Sequence, residues 1–561
     1  GASGAAGAGR DTSWARDDGT PIDWQPPKSF ASDPRDMEGY RVGGEFVEIF
    51  EAQMPKVMPF IAQDVYSRRI TDQIFESLGS YDPQTLKMRG VLAEAWQYDR
   101  GGLWLRVKIH DRARFSDGEP VTADDVVFTW KDFILNPQLA TERARSIADN
   151  VADVEAVSEK VVEFTFREPL YSNLTIALGS EILPRHFYEQ FTDTQINSAT
   201  SLLLGSGPFK LERLDPNSQW TPGEDFVLVR NENYWGPTRP ALDRLRYRTI
   251  TDDVAALTSY TNGNADMVRP SSDQFVQMRQ RPNWDEKNYS LNWVNMRSGY
   301  SFIAWQCGPR NGEKLTPFHD ARVRLAMTHL LDRQRIIDEI TAGIGEVATG
   351  PNNRQNPGYN REIEPWPYDM ARARELLREA GWVDTDNDGV LENDRGDEFQ
   401  FEFTYGVGSE ATQRIAKYLK DQCARVGIRM TERPLDWSVF TDILQRRDFD
   451  AITFGWSASA PESDPRQIWH SSSIQNQGDN FIQWANEEAD RLIDKGRATL
   501  DEDERYKVWQ ELHRVFHEEQ PYTFLRDATW LRFVDKEFKN VHTYPKGLEQ
   551  IEFFHVPMSG I

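Results

Sequence analysis

The chain is poor in positive charge, in cysteine and in long apolar runs. Lysine and arginine number 65 against 89 aspartates and glutamates in 561 residues, a formal net charge of −24 at pH 7. That balance argues against nucleic acid or an anionic membrane surface as partner, since neither offers cations for it to meet. No run of 18 apolar residues occurs, so no segment reads as a bilayer-spanning helix. The 2 cysteines, Cys307 and Cys423, are too far apart for a CxxC or zinc set and leave a disulfide and two buried thiols equally open. P-loop, GxGxxG and GxSxG patterns are absent, and no Cys/His pair stands in a recognisable nucleophile setting. The opening GASGAAGAGRDTSW lacks a charged n-region and an apolar h-region. It reads as a flexible leader over 1–40, the remnant of a processed export signal or of a lipoprotein tether.

What is present is a long acidic chain with 39% hydrophobic residues, enough to bury large cores and too long for a single one. Its most legible stretch runs from Gly90 to Leu135. Leu103, Leu105, Val107 and Ile109 alternate with Trp104, Arg106, Lys108 and His110, the period of a half-buried strand. Ser116 to Pro120 supplies a turn. Thr122 followed by Asp125 forms a capping box with Asp for the usual Glu, so a helix begins at Ala123. Val126, Val127, Trp130, Phe133 and Ile134 give it one apolar stripe, and Asn136-Pro137 ends it.

Along the rest of the chain the same rules predict strands over Gly44–Phe50, Val161–Phe166 and Leu245–Ile250. A helix over Asp252–Asn262 then implies a crossover in a parallel sheet. Further on they predict helices from Phe318 through Asp332-Arg333 to Ile340, over Tyr368–Gly381, Glu410–Val426, Asn486–Thr499 and Glu502–Glu519. Strands are expected over Phe399–Tyr405, Ile428–Arg433, Asp450–Trp456 and Pro521–Leu525.

Several blocks resemble the family 5 extracellular solute-binding proteins, the oligopeptide and dipeptide receptors of ABC importers. They are GVLAEAW from Gly90, Phe115–Pro120, VTADDVVFTW from Val121, GSGPFKL from Gly205, RNENYWG from Arg230 and the segment from Phe318 to Met327. Ser206 and Glu232 depart from the family's Thr and Pro. The resemblance implies an α/β, type II periplasmic-binding-protein fold: two lobes with a hinge and an extra domain inserted in lobe I. The expected division is leader 1–40, lobe I from 41–79, 201–295 and 527–561, inserted domain 80–200 and lobe II 296–526. It also implies a binding protein and not an enzyme, working as a monomer with an ABC permease, without nucleic acid, periplasmic or lipid-anchored on the outer face of the cytoplasmic membrane.

In the family, the loop after the Gly455-Trp456 pair lies in the ligand cleft, and classical peptide receptors carry an aspartate three residues after this Trp for the ligand's ammonium. Here that position is Ser459, and a hydroxyl cannot supply a charge-assisted bond of roughly 1.5–3 kcal/mol. Glu462 or Asp464 is the expected substitute. The expected ligand is a peptide or peptide-like solute held by Trp456, Ser457, Ser459, Trp293 and Asn295. An oligosaccharide, opine or metal chelate is the alternative, and a cleft hydrolase with paired carboxylates the remote one. A structural Ca²⁺ is the one candidate cofactor. Asp384, Asp386 and Asp388 occupy positions one, three and five of an EF-hand-like loop, Val390 offers a carbonyl at seven and Glu392 follows at nine, while Arg395 stands where the bidentate Glu belongs. His513 and His517, four apart, are expected on a solvated helix face.

Overall fold

The computed structural model describes residues 10–557 apart from 63, 217–218, 353, 355, 459 and 476–477. The chain forms two compact units, one of residues 1–33 and 54–244, the other of residues 34–53 and 245–561.

In the first unit the expected strand spans Trp104–Ile109 and is central in a five-stranded sheet. Leu105, Val107 and Ile109 are fully buried, whereas Leu103, expected in the same row, lies before the strand and is 42% exposed. The capping box is present, with Thr122 Oγ1 accepting from Asp125 N and the Asp125 carboxylate accepting from Thr122 N at 2.8 Å. The helix that follows changes character midway. It is α-helical over Ala123–Val127 and π-helical over Phe128–Ile134. Thr129 donates its hydroxyl back to the Asp125 carbonyl at 2.7 Å and accepts from Leu183 N, an intrusion of the kind that widens a helical turn.

The flexible-leader expectation is corrected from residue 10 onward. Trp14 is 7% exposed, and Asp23–Trp24 pairs antiparallel with Ala93–Tyr98 as an edge strand. Arg16 binds Glu163, which also binds Arg106 at 2.6 Å. Two tryptophans and a shared carboxylate outweigh the composition of the segment.

The second unit contains the strands Asn288–Trp293, Trp530–Asp535, Met267–Val268, Glu45–Phe50 and Arg244–Thr249, in that sheet order. Met267 pairs parallel with Glu48, so the crossover helix Asp253–Thr261 spans an intervening strand. A second sheet has the order Arg429–Leu435, Gln400–Gly406, Ala451–Trp456, Tyr300–Trp305, Tyr522–Asp527. Its first three strands run parallel, and Tyr300–Trp305 is antiparallel to both its neighbours. One face packs Ile303, Trp305, Phe401 and Phe403 against Phe318, Met327, Leu377 and Leu419.

The single helix expected from Phe318 to Ile340 is two, Ala321–His329 and Arg333–Ile340, because Asp332 caps the second by accepting from Arg335 N at 3.0 Å. Glu502–Glu519 is as expected, but its histidines are not solvated. His513 is 1% exposed, bonded to Thr349 and Asn360 N and 4.7 Å from the Tyr359 ring. His517 lies flat on Trp366 at 4.9 Å. Burial holds both near 4, neutral at pH 7. Helical spacing cannot reveal that a ring face will be covered by residues 150 positions away. Cys307 and Cys423 are both free thiols.

Candidate functional site

Parallel strands end at one sheet edge, and in open α/β sheets that carboxyl edge is where ligands bind. In the second sheet this edge gathers Gly406-Val407, Leu435-Asp436 and Trp456-Ser457. By antiparallel pairing it also gathers the start of Tyr300–Trp305 and, two strands from Ala451–Trp456, the end of Tyr522–Asp527. The chain crosses between the two sheets of this unit at the same edge. Trp293 pairs with Trp530 in one sheet and Tyr300 with Asp527 in the other, so 294–299 and 528–529 are the connecting pieces. Ala528 N donates to Gly299 O at 2.9 Å. Only glycine fits at 299, where a Cβ would lie 1.5 Å from the Trp456 carbonyl oxygen.

Trp456 is held by stacking. Its ring is stacked on Phe302 at 6.4 Å and on Phe481 at 6.0 Å, and its Nε1 donates to Tyr522 Oη at 3.4 Å. Phe302 in turn lies flat on Tyr522 at 4.0 Å. Large rings stiffened in this way give a rigid apolar wall at small cost in rotamer freedom. Ser457 is exposed beside it, and Ser459 lies outside the described residues. At the other crossing Trp293 meets Trp530 edge to face at 5.8 Å and donates Nε1 to Tyr544 O. Asn295 is 1% exposed; its Oδ1 accepts from Arg297 N, while its Nδ2 has no partner among the described residues.

The two acids expected to replace the missing aspartate are already engaged. Glu462 takes a forked pair from Arg505 at 2.6 and 2.9 Å and a bond from Trp509 Nε1. Asp464 binds Arg497 at 2.8 Å and caps Arg466 N. Both hold the loop 461–466 onto the helices Glu487–Ala498 and Glu502–Glu519.

Sequence reasoning missed three features of this edge. Val407 is 50% exposed, and Trp437 and Val439 are 45% exposed at the start of a helix, Trp437–Arg446, that was not expected at all. Asp527, 7% exposed, ends the last strand with its Oδ1 unpartnered among the described residues. A short period-3.6 pattern after Asp436 was the available signal for the helix; the exposure of its first turn had none.

Away from this edge, ligating oxygens of Asp384, Asp386, Asp388 and Glu392 lie within 4.8 Å of one another. Asp384 Oδ1 is enclosed without a hydrogen-bond partner, Glu392 accepts from Thr385 N at 2.8 Å, and Asp388 pairs with Arg429 at 3.3 Å. Val390, the expected carbonyl donor, is buried and donates its N–H to Asp388.

Two sheets joined by paired chain crossings, with parallel strands ending beside them, give the chain the type II periplasmic-binding-protein fold. The family model for bacterial extracellular solute-binding proteins, family 5 Middle, matches residues 87–478, and the chain belongs to this family. It is 31% identical over 472 residues, 82% of each chain, to the oligopeptide-binding protein AppA of Bacillus subtilis. The structure of AppA in complex with a nonapeptide superposes with a TM-score of 0.81 at 27% identity, covering 92% of this chain and 100% of that one. NikZ from Campylobacter jejuni in complex with Ni(L-His) shares the fold, with a TM-score of 0.77 at 20% identity over 91% and 99% of the two chains.

The relatives are substrate-binding transport proteins, which sets the cleft-hydrolase alternative aside: the chain is an extracytoplasmic solute-binding protein of the ABC importer type and not an enzyme. Among the described residues no helix is long and apolar enough to cross a membrane.

Proposed function

We propose that this protein captures an oligopeptide or peptide-like solute at the carboxyl edge around Trp456 and presents it to a membrane permease of the ABC type. The observation that carries the reading is the Trp456 wall, stacked on Phe302 and Phe481 directly against the Gly299 crossing. Trp293, Asn295 and Ser457 complete the ligand-facing set in this reading, Ser459 joins it on the family resemblance alone, and Val407 and Trp437 extend it with exposed apolar surface. The similarity to AppA, whose structure holds a nonapeptide, supports a peptide over a metal chelate. The crossings at 293–300 and 526–530 support a hinge at the proposed boundaries 295/296 and 526/527. Ligand binding then works by favouring a closed arrangement of the lobes, which requires tighter binding to that arrangement than to the open one.

Two further readings accompany it. A lipid tether upstream of the docked segment keeps the protein, a monomer, at the outer face of the membrane. A Ca²⁺ on Asp384, Asp386, Asp388, the Val390 carbonyl and Glu392 clips the loop 384–392, a structural role.

Incubation with a random-sequence nonapeptide library, followed by gel filtration and mass spectrometry of the retained peptides, tests the substrate class. Enrichment of a peptide subset supports it. No retained peptide at any concentration up to the millimolar range, with the protein folded, rejects it.

A further inference from the structure

Of the carboxylates at the second sheet's carboxyl edge and in the loops beside it, Asp436 is exposed to solvent, and four others bear on ligand recognition: Glu462, Asp464, Asp527 and Glu346. The first two neutralise Arg505 and Arg497. Glu346 pairs with Arg354. Asp527 accepts a backbone bond from Arg354, donates its own N–H to Glu346 O, and keeps Oδ1 without a partner among the described residues although the residue is 7% exposed. An enclosed carboxylate oxygen with no donor is a costly arrangement unless something supplies one. Once Asp527 is ionised, the trio Glu346, Arg354 and Asp527 carries one negative charge in excess, which a cation taking the place of the proton balances.

We propose that Asp527 receives the ligand's ammonium group, the part that the family gives to an aspartate at the position of Ser459 here. The inference rests on the peptide reading above and gives it a direction. Tyr300 is the direct cross-strand partner of both Asp527 and Trp456, so the three lie in one row with Asp527 two strands from Trp456, about 10 Å. An extended peptide advances about 3.3 Å per residue. Its amino end lies at the chain crossing, and its third or fourth residue meets the Trp456 wall.

The linkage agrees in sign. Burial raises Asp527 to about 7, with Arg354 opposing and Glu346 reinforcing. The free protein therefore holds a proton there below pH 7 and must release it to bind an ammonium. Affinity for a free-amine peptide rises with pH, by up to about 50-fold from pH 5 to pH 7, for a group near 7 whose bound form titrates below 5. An N-acetylated peptide gives a flat profile.

The experiment offers an equimolar mixture of free-amine and N-acetylated random nonapeptides to the wild-type protein and to Asp527→Asn, with binding of the best-captured sequence then followed from pH 5 to 8. The expected result is at least tenfold preference for the free amine in the wild type, its loss in the variant and the rising pH profile. Equal capture of both forms by the wild type, or a preference that survives in the variant, overturns the Asp527 subsite and leaves the peptide reading standing. Capture of neither form rejects the peptide reading and the subsite with it. The acetylation and pH comparisons use the unaltered protein and hold even where the variant folds poorly.

Discussion

Gly299→Ala is the substitution that tests the geometry of the site most severely. A Cβ at this position would sit 1.5 Å from the Trp456 carbonyl oxygen, 2.5 Å from its carbonyl carbon and 2.9 Å from Ser457 Cα, all of them backbone atoms. Relief requires the crossing at 299 and the end of Ala451–Trp456 to part by about 1.5–2 Å, roughly the gap between 1.5 Å and an ordinary carbon–oxygen contact. That movement strains the Tyr300–Trp456 pairing and the Ala528 N to Gly299 O bond, and it shifts the Trp456 ring out of its stack. Overpacking of a well-filled site costs typically 1–3 kcal/mol, and backbone atoms yield less than side chains, so about 3 kcal/mol is expected. A calorimetric scan should show a lower transition for the second unit with the first little changed. Peptide affinity should fall in the folded fraction, because the wall itself has moved. A variant with the wild-type transition and wild-type affinity would refute the claim that the crossing is fitted against Trp456.

Four further outcomes follow from the same geometry. Trp456→Ala should weaken peptide binding at least tenfold while Trp456→Phe, which keeps a ring between Phe302 and Phe481, should retain most of it, as read by isothermal titration. Glu462→Gln should lower stability by about 3 kcal/mol by leaving Arg505 buried without its charge partner, measured by denaturant titration, yet change peptide affinity less than threefold. Asp266 is raised to about 7 by burial, beside Asp535 and Glu45. Its folded form binds a proton that its unfolded form has lost, so stability falls as pH rises from 4 to 7, and Asp266→Asn should flatten that part of the pH–stability curve by about 3 kcal/mol. Calcium at 100 times its dissociation constant should stabilise the second unit by about 2.7 kcal/mol, and Asp384→Asn should remove the increment, both read by thermal melts with and without chelator.

The parts of the fold that could be read from sequence are those set within one turn or one strand. The alternation at 105–109, the Thr122–Asp125 box and the helix Glu502–Glu519 all depend on neighbours a few residues away, and all are present. What could not be read depends on distant partners. The π-helical turn at 128–134 follows from Thr129 meeting Leu183, and the burial of His517 follows from Trp366. Docking of 10–24 requires Glu163 and the edge at Ala93–Tyr98. The candidate site divides in the same way. Trp456 stands out in sequence because a buried strand ends there, and the resemblance then assigns the loop after it to the ligand. Asp527 does not stand out, since only the register that sets Tyr300 between Trp456 and Asp527, more than 200 residues apart along the chain for the second pairing, brings it to the same row. The engagement of Glu462 and Asp464 by arginines 33 to 43 positions away was hidden for the same reason.

The central claim is that cargo closes the two lobes about the crossings at 293–300 and 526–530. Small-angle scattering of the intact protein, titrated with the nonapeptide it binds best, tests this most directly. The account predicts a saturable fall in the radius of gyration whose midpoint matches the calorimetric affinity. An unchanged radius at saturating, calorimetrically verified occupancy would contradict it.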